Sequence, residues 1–462
     1  VDLTFIVALV VVLALFFDFT NGFHDTANAM ATPIATGAIK PKTAVALAAV
    51  LNLVGAFLST EVAKTVSGGL IREGEGGIQI TPLMIFAGLI GAIVWNIITW
   101  LLGLPSSSSH ALFGGLIGAA IVGAGFQAVD YGVVVSKVLL PAILAPLIAG
   151  TVAYLATKLA YWITKRDESA SSPKRGGFRY GQIFSSSLVA LAHGTNDAQK
   201  TMGVITLVLI AGGFQAAGTG PEFWVILSCA LAIAIGTYSG GWRIIRTMGS
   251  GLTEVKPAQG FAAESSTASA ILASSHLGFA LSTTQVASGS VIGSGLGRKG
   301  AKVRWDTAGR IGIGWLLTLP AAGGIGALAA FIAHLGMVGV VIDAVAGAVV
   351  IGLMYIRSKR NQIGHDNAIS DVDQAGEIVR IKRKKKRKAT AKKRAKQLAA
   401  LSAGPLEPTA SPEEAGRPDQ VAGRKQAGLK QAGRKQATAA AARAAKIGTT
   451  SNQDGTDEGV ER

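Results

Sequence analysis

Two short polar segments in this chain carry the residue types that ion chemistry needs. Gly22-Phe23-His24-Asp25-Thr26-Ala27-Asn28-Ala29 is echoed by Gly194-Thr195-Asn196-Asp197-Ala198-Gln199-Lys200, with Asp25 and Asp197 172 positions apart. Each aspartate sits at the end of a hydrophobic run, where a carboxylate is costly to bury without a partner or a task. A second echo follows in the same order. Leu104-Pro105-Ser106-Ser107-Ser108-Ser109-His110 matches Ala280-Leu281-Ser282-Thr283-Thr284-Gln285, with Ser107 and Ser282 offset by 175.

Hydroxyls at a helix start combine with free backbone N–H groups and the positive end of the helix dipole into an anion site, and tetrahedral oxyanions such as phosphate suit it. Ser107, Ser108, Ser109, Ser282, Thr283 and Thr284 are therefore the candidate anion ligands, with Asn28 and Asn196 supplying neutral amides beside them. Asp25 and Asp197 repel a bare anion and make sense as holders of cations or protons that travel with it. Glu264, inside another apolar segment, is a further candidate for a cation or proton. The chemistry reached from these residues is that of an oxyanion symporter.

The elements that must position these groups are membrane helices. The chain is 49% hydrophobic, only 15% charged and holds 59 Gly, with a mean hydropathy of +0.42; soluble domains of this length carry more charge. Apolar stretches near the roughly 20 residues that cross a bilayer recur at Leu3–Phe17, Thr43–Leu58, Pro82–Leu104, Ser108–Phe126, Tyr131–Ile163, Phe223–Trp242, Phe261–Leu281, Ile311–Ala333 and Gly336–Tyr355. The expected fold is all-α, a polytopic bundle of about ten to twelve crossings in which Gly and Pro interrupt some helices into broken or re-entrant ones. Leu3–Phe17 runs straight into the polar motif, which reads as a membrane helix and not as a cleavable signal. Most glycines serve close helix packing, and the single Cys229 is a small core residue.

A third echo, Lys64-Thr65-Val66-Ser67-Gly68-Gly69-Leu70 against Arg246-Thr247-Met248-Gly249-Ser250-Gly251-Leu252, extends the internal repeat. It divides the chain into a membrane half over residues 1–164, a polar linker over 165–177 and a second half over 178–357. Lys165, Arg166, Lys174 and Arg175 place that linker in the cytoplasm by the positive-inside rule. Residues 358–462 change character. From 361 onward they hold 21 Lys+Arg against 12 Asp+Glu, including the run Lys382-Arg383-Lys384-Lys385-Lys386-Arg387-Lys388. With few apolar anchors the tail is expected to be disordered, touching anionic lipid headgroups and not nucleic acid.

Other polar residues carry plainer readings. His110, His193 and His276 lack partners at metal-ligand spacing and read as structural hydrogen-bonding groups; no metal ligand set is assigned. Lys200 either neutralises Asp197, contacts the anion or snorkels to an interface. Arg243 and Arg246 read as topology anchors, and Trp95, Trp100 and Trp242 as interfacial or packing residues.

Taken together, GFHDTANA, ALAHGTNDAQK, PSSSSH, LSTTQ and Gly260-Phe261-Ala262-Ala263-Glu264 resemble the signature segments of the PiT family of inorganic phosphate transporters, over about residues 3–357. The resemblance implies an inverted-repeat helical fold, commonly dimeric, with inorganic phosphate bound between helix starts near mid-membrane. It maps Asp25, Asn28, Asn196, Asp197 and both hydroxyl clusters onto signature positions. Sodium-coupled members typically read Gly-Ala-Asn-Asp at the first motif and carry a Glu where Asn52 stands. His24 with Asn52 resembles the bacterial, proton-coupled, low-affinity branch, which accepts neutral metal–phosphate complexes. A histidine suits a proton role because it titrates near neutrality; it equally suits orienting Asp25.

The implied function is secondary transport of phosphate across the plasma membrane, coupled to protons, with no resident cofactor and no enzyme activity. Sodium coupling and a sulfate permease are the alternatives within transport. An uncoupled channel would need no carboxylates at the site, and a membrane phosphatase with Ser107 or His110 as nucleophile lacks an orienting third group in sequence.

Overall fold

The computed structural model describes residues 2–69, 80–164 and 177–360. Leu70, all but the last residue of the expected linker, and the tail from residue 361 lie outside the described residues. The described residues belong to a single contact unit and are helical; no strand occurs among them, and one isolated bridge joins Thr253 to Val303.

The first half runs α1 (Leu3–Ala35), α2 (Pro41–Gly55), α3 (Glu61–Gly69), α4 (Pro82–Leu101), α5 (Ser108–Ala124), a short α6 (Tyr131–Val133) and α7 (Leu140–Thr164). A π-helical stretch, Val134–Leu139, joins the last two into one 33-residue run. The second half runs α8 (Gly177–Ala211), α9 (Phe223–Ser239), α10 (Trp242–Arg246), α11 (Pro257–His276), α12 (Thr283–Gly297), α13 (Trp305–Ala333) and α14 (Met337–Arg360).

The sequence logic is duplicated with the elements. α4 and α11 are both 20 residues long and both open with proline in the first turn, where the missing N–H costs nothing. Both stop at a glycine in the left-handed region, Gly103 (φ 63°) and Gly278 (φ 70°), a conformation that side chains with a Cβ resist. The next turn is copied bond for bond: Leu104 N–H donates to Thr99 O and Ser106 N–H to Leu104 O, as Phe279 does to Ser274 and Leu281 to Phe279. Ser107 and Ser282 then cap α5 and α12. This loop explains why both hydroxyl clusters start helices in the interior.

The halves are interleaved. α5 packs on α13 as α12 packs on α7, and α1 packs on α9 as α8 packs on α2. α1 and α8 cross antiparallel at the centre. Asp18 faces Thr201, Asp25 meets Asp197, and Thr36 Oγ1 donates to Gln182 Oε1 at 2.8 Å, so one helix ascends as the other descends.

One expectation changes. The motif segments do not end the first run: α1 is continuous from Leu3 to Ala35 and α8 from Gly177 to Ala211, so Asp25 and Asp197 sit in mid-helix. No proline precedes Pro33 in α1, and nothing at Gly22 interrupts the ladder. Among the described residues, five helices are individually long and apolar enough to cross a membrane, or six if the pair Phe223–Ser239 and Trp242–Gly251, bent by 59°, counts as one span. This count goes by length and apolar composition alone, and it leaves out α2 and α5, which are short, and α8, α11 and α12, which carry the polar interior. The exterior is correspondingly apolar: Ile143, Leu147, Leu316, Phe331, Val345 and Leu353 are exposed, as a lipid-facing surface requires.

Candidate functional site

α1 and α8 carry the two aspartates into the centre of the bundle, and α5 and α12 aim their first turns at them. A carboxylate oxygen of Asp25, one of Asp197 and a ring nitrogen of His193 all lie within 4.8 Å of one another, and all three residues are buried. The hydroxyl clusters of both halves converge on this pair. Ser108 Oγ donates to Asp25 Oδ2 at 2.8 Å and Thr284 Oγ1 to Asp25 Oδ1 at 3.0 Å. Thr283 Oγ1 donates to Asp197 Oδ2 at 3.0 Å and lies 3.5 Å from Asp25 Oδ2. Asn28 Nδ2 donates to Thr284 Oγ1 at 3.0 Å and to Thr283 Oγ1 at 3.3 Å, while its buried Oδ1 has no partner.

Each carboxylate has an imidazole beside it. His24 Nδ1 lies 2.6 Å from Asp25 Oδ1, and its Nε2 is 3.3 Å from both Thr99 Oγ1 and Ser106 Oγ. That geometry orients Asp25, whatever else the ring does. His193 Nε2 lies 2.9 Å from Asp197 Oδ2, off the angle of a regular hydrogen bond, and Nδ1 is 3.3 Å from Asn52 Oδ1. Asn52 Nδ2 in turn donates to Thr237 Oγ1 at 2.7 Å. The expectation that His193 lacks a partner at ligand spacing does not hold: Asp197 stands four residues on along α8, on the same helix face, and Asp25 joins them from α1.

Lys200 resolves the reading left open for it. It is buried, and its ammonium donates to Asp197, to Ser109 Oγ at 2.7 Å and to the Leu281 carbonyl at 2.8 Å. It neutralises Asp197 and does not snorkel. Two carboxylates share one ammonium here, with an imidazole beside each carboxylate. Water-free burial of an unbalanced charge is expensive, so the site favours one more cation, and an added anion requires further positive charge.

The remaining sequence candidates fall elsewhere. Ser107 and Ser282 use their Oγ atoms to accept the N–H of His110 (3.1 Å) and Gln285 (3.4 Å), so they are helix caps before they are ligands. Asn196 is the repeat partner of His24 and not of Asn28: its Nδ2 donates to Ser275 Oγ at 2.9 Å and to the Phe279 carbonyl at 3.4 Å, in the turn that leads to Ser282. Glu264 is buried in a separate cluster, accepting from Thr32 (2.5 Å), Gln182 (3.0 Å) and Ser185 (2.6 Å). The two clusters are linked along α1, since Thr32 is two turns beyond Asp25. His110 lies 3.4 Å from Gln285 Nε2, its own repeat partner, a structural contact as expected.

One residue of this interior, Asp18, escapes the sequence reading, and Lys200 enters it only with its role left open. Lys200 stands three residues after Asp197 as Asn28 stands three after Asp25, and that spacing is the available signal. Asp18, fully buried on α1, lies two turns before Asp25 on the same face, and an apolar run that ends at Phe17 conceals it.

Comparison with known proteins gives a consistent result. Residues 21–326 match the phosphate transporter family. A probable low-affinity inorganic phosphate transporter of Mycobacterium bovis is 55% identical over 372 residues, covering 79% of this chain and 87% of that protein. One of Bacillus subtilis is 41% identical over 327 residues, covering 71% of this chain and 97% of that protein. Among solved structures, a sodium-dependent phosphate transporter superposes with a TM-score of 0.62 at 23% identity, covering 72% of this chain and all of that one, a likeness of fold.

Proposed function

Because this chain belongs to the phosphate transporter family, a multi-pass membrane protein of the PiT type, we propose that it carries inorganic phosphate inward across the plasma membrane as a proton-coupled symporter. The observation that carries this reading is where the hydroxyls point. Ser108, Thr283 and Thr284 donate to Asp25 and Asp197. A proton or cation on those carboxylates removes the acceptors' charge and releases the same hydroxyls, on two helix starts, to an oxyanion. Phosphate and cation are then favoured together and disfavoured apart, which is the thermodynamic content of symport.

Proton coupling is supported by His24, held 2.6 Å from Asp25, and by Asn52, where sodium-coupled relatives of the resemblance carry a Glu. Sodium is the alternative, since the carboxylate pair with its surrounding oxygens also suits a hard monovalent ion. A neutral metal–phosphate complex as cargo, a related oxyanion such as sulfate, a homodimer and a lipid-bound tail belong to the same proposal. The antiparallel crossing of α1 and α8, which occupy equivalent places in the two halves, supports an inverted relation between them.

The test is uptake of labelled phosphate into proteoliposomes under separately imposed proton and sodium gradients, with and without a divalent metal. A proton gradient alone is expected to drive accumulation, and Asp25→Asn or Asp197→Asn to abolish it. Accumulation driven by sodium alone overturns proton coupling. Undiminished uptake in both variants overturns the site.

A further inference from the structure

The ammonium of Lys200 is enclosed by oxygens of three kinds: a carboxylate (Asp197), a hydroxyl (Ser109 Oγ, 2.7 Å) and a main-chain carbonyl (Leu281 O, 2.8 Å). With the side chain 2% exposed, these account for all three N–H donors. The same three oxygen types are what a hard, unhydrated cation gathers around itself. Lys200 therefore sits as an ion sits.

The repeat allows this shell to be located in the other half. Asp25 corresponds to Asp197, Thr284 to Ser109 and Ser106 to Leu281, and the last match holds in the backbone, where Ser106 N–H donates to Leu104 O at 2.9 Å and Leu281 N–H to Phe279 O at 3.0 Å. The hydroxyl and carboxylate are again joined, Thr284 Oγ1 to Asp25 Oδ1 at 3.0 Å. In place of a lysine stands Asn28, a neutral amide bonded to Thr283 and Thr284. One half carries a fixed positive charge in the shell and its counterpart carries none.

We infer that Lys200 is a tethered counter-cation, which fills from within the chain the second-half member of a pair of monovalent-cation positions and leaves the first-half member, bounded by Asp25, Thr284 and the Ser106 carbonyl, to the free cation that moves with the substrate. The word "moves" rests on the transport reading; the occupancy of the second-half position does not. Lysine offers a point charge on a flexible stem with three donors, which suits this role better than the planar arginine fork. Two consequences follow. Removing the ammonium while keeping Asp197 creates a site for a free alkali cation. Removing both leaves nothing for that cation to bind.

The experiment uses the full-length chain as Lys200→Asn and as the double variant Asp197→Asn/Lys200→Asn, each also carrying Asp25→Asn to silence the first-half position, with the Asp25→Asn protein as reference. Thermal unfolding is followed while sodium replaces choline at constant ionic strength. The Lys200→Asn protein should gain a saturable rise of about 4 °C or more in its midpoint. The double variant and the reference should show none. A rise of equal size in all three, or in none, overturns the inference. So does a Lys200→Asn protein that folds at no sodium concentration while the double variant folds, because then no free cation replaces the ammonium. In proteoliposomes, Lys200→Asn with Asp25 intact should acquire a sodium requirement for phosphate uptake. Absence of phosphate uptake by the unsubstituted chain overturns the transport reading and leaves the sodium response standing.

Discussion

Asp25 and Asp197, separated by 172 positions in the chain, hold carboxylate oxygens within 4.8 Å of each other in the buried centre of the bundle. Two like charges at that distance repel strongly where water is absent. The arrangement persists because each is compensated differently, Asp197 by Lys200 and His193, Asp25 by His24 and by hydroxyls from both halves. The pair is equivalent in position and unequal in charge balance.

Thr283 bridges the two carboxylates, its hydroxyl 3.0 Å from Asp197 Oδ2 and 3.5 Å from Asp25 Oδ2. Thr283→Val keeps the branched shape and deletes the donor. Because a hydrogen bond to a charged group contributes about 1.5–3 kcal/mol, the KM for phosphate should rise about tenfold or more, with Thr283→Ser close to the original. Uptake kinetics at a fixed driving gradient check this; a KM unchanged in the valine variant removes Thr283 from the substrate contacts.

The first residue of each hydroxyl cluster should behave unlike the second and third. Ser107→Ala and Ser282→Ala delete helix caps and should each cost about 1 kcal/mol of stability with little change in phosphate affinity. Ser108→Ala and Thr284→Ala remove donors to Asp25 at 2.8 and 3.0 Å and should weaken phosphate uptake at near-normal stability. Paired measurements of unfolding midpoint and KM for the four variants separate the two classes.

Much of this interior is legible in the sequence alone. Asp25, Asp197, Ser108, Thr283 and Thr284 stand out because duplication singles them out and because polar groups contrast with apolar sequence. The surroundings of Asn196 are not legible in the sequence, for a physical reason. Adjacent residues on a helix point about 100° apart, so its place directly before Asp197 turns it toward α11, as His24 turns toward α4. Glu264 is marked correctly as a buried carboxylate, but no sequence pattern states which helices cover it, and Thr32, Gln182 and Ser185 come from two others. Ser107 and Ser282 pass for ligands because cap and ligand use the same residue type at the same place.

Gly194 belongs to the second motif for packing and not for chemistry. A Cβ built there meets the main chain of Asn52, overlapping its carbonyl oxygen and lying 2.7 Å from its carbonyl carbon. Backbone cannot rotate away as a side chain can. Gly194→Ala should push α8 off α2, destabilising the fold by about 3 kcal/mol or more. It should also draw His193 away from Asn52 on α2, while the His193–Asp197 pair, carried on one helix, stays together. Unfolding midpoint and yield of folded protein provide the measurement; a variant as stable as the parent would mean that α2 shifts freely.

Among the described residues, Asp18 is the buried carboxylate with neither oxygen partnered. It is 0% exposed, and neither of its oxygens has a hydrogen-bond partner; the Thr201 hydroxyl faces it outside hydrogen-bond geometry. The nearest ammonium along α8, Lys200, is committed to Asp197, Ser109 and Leu281. A carboxylate in that position destabilises the fold relative to a neutral group of the same shape, since burial without a partner is penalised whether the charge is kept or suppressed. Asp18→Asn is close to isosteric, removes the charge and turns an amide toward the Thr201 oxygen. It should therefore stabilise the protein, by about 1–3 kcal/mol, seen as a higher unfolding midpoint in detergent. Most substitutions of buried polar residues destabilise, so the sign is the informative part. A lower midpoint would mean that the Asp18 carboxylate has a stabilising partner in the folded protein, and the double variant Asp18→Asn/Thr201→Val would then test whether that partner is the Thr201 hydroxyl.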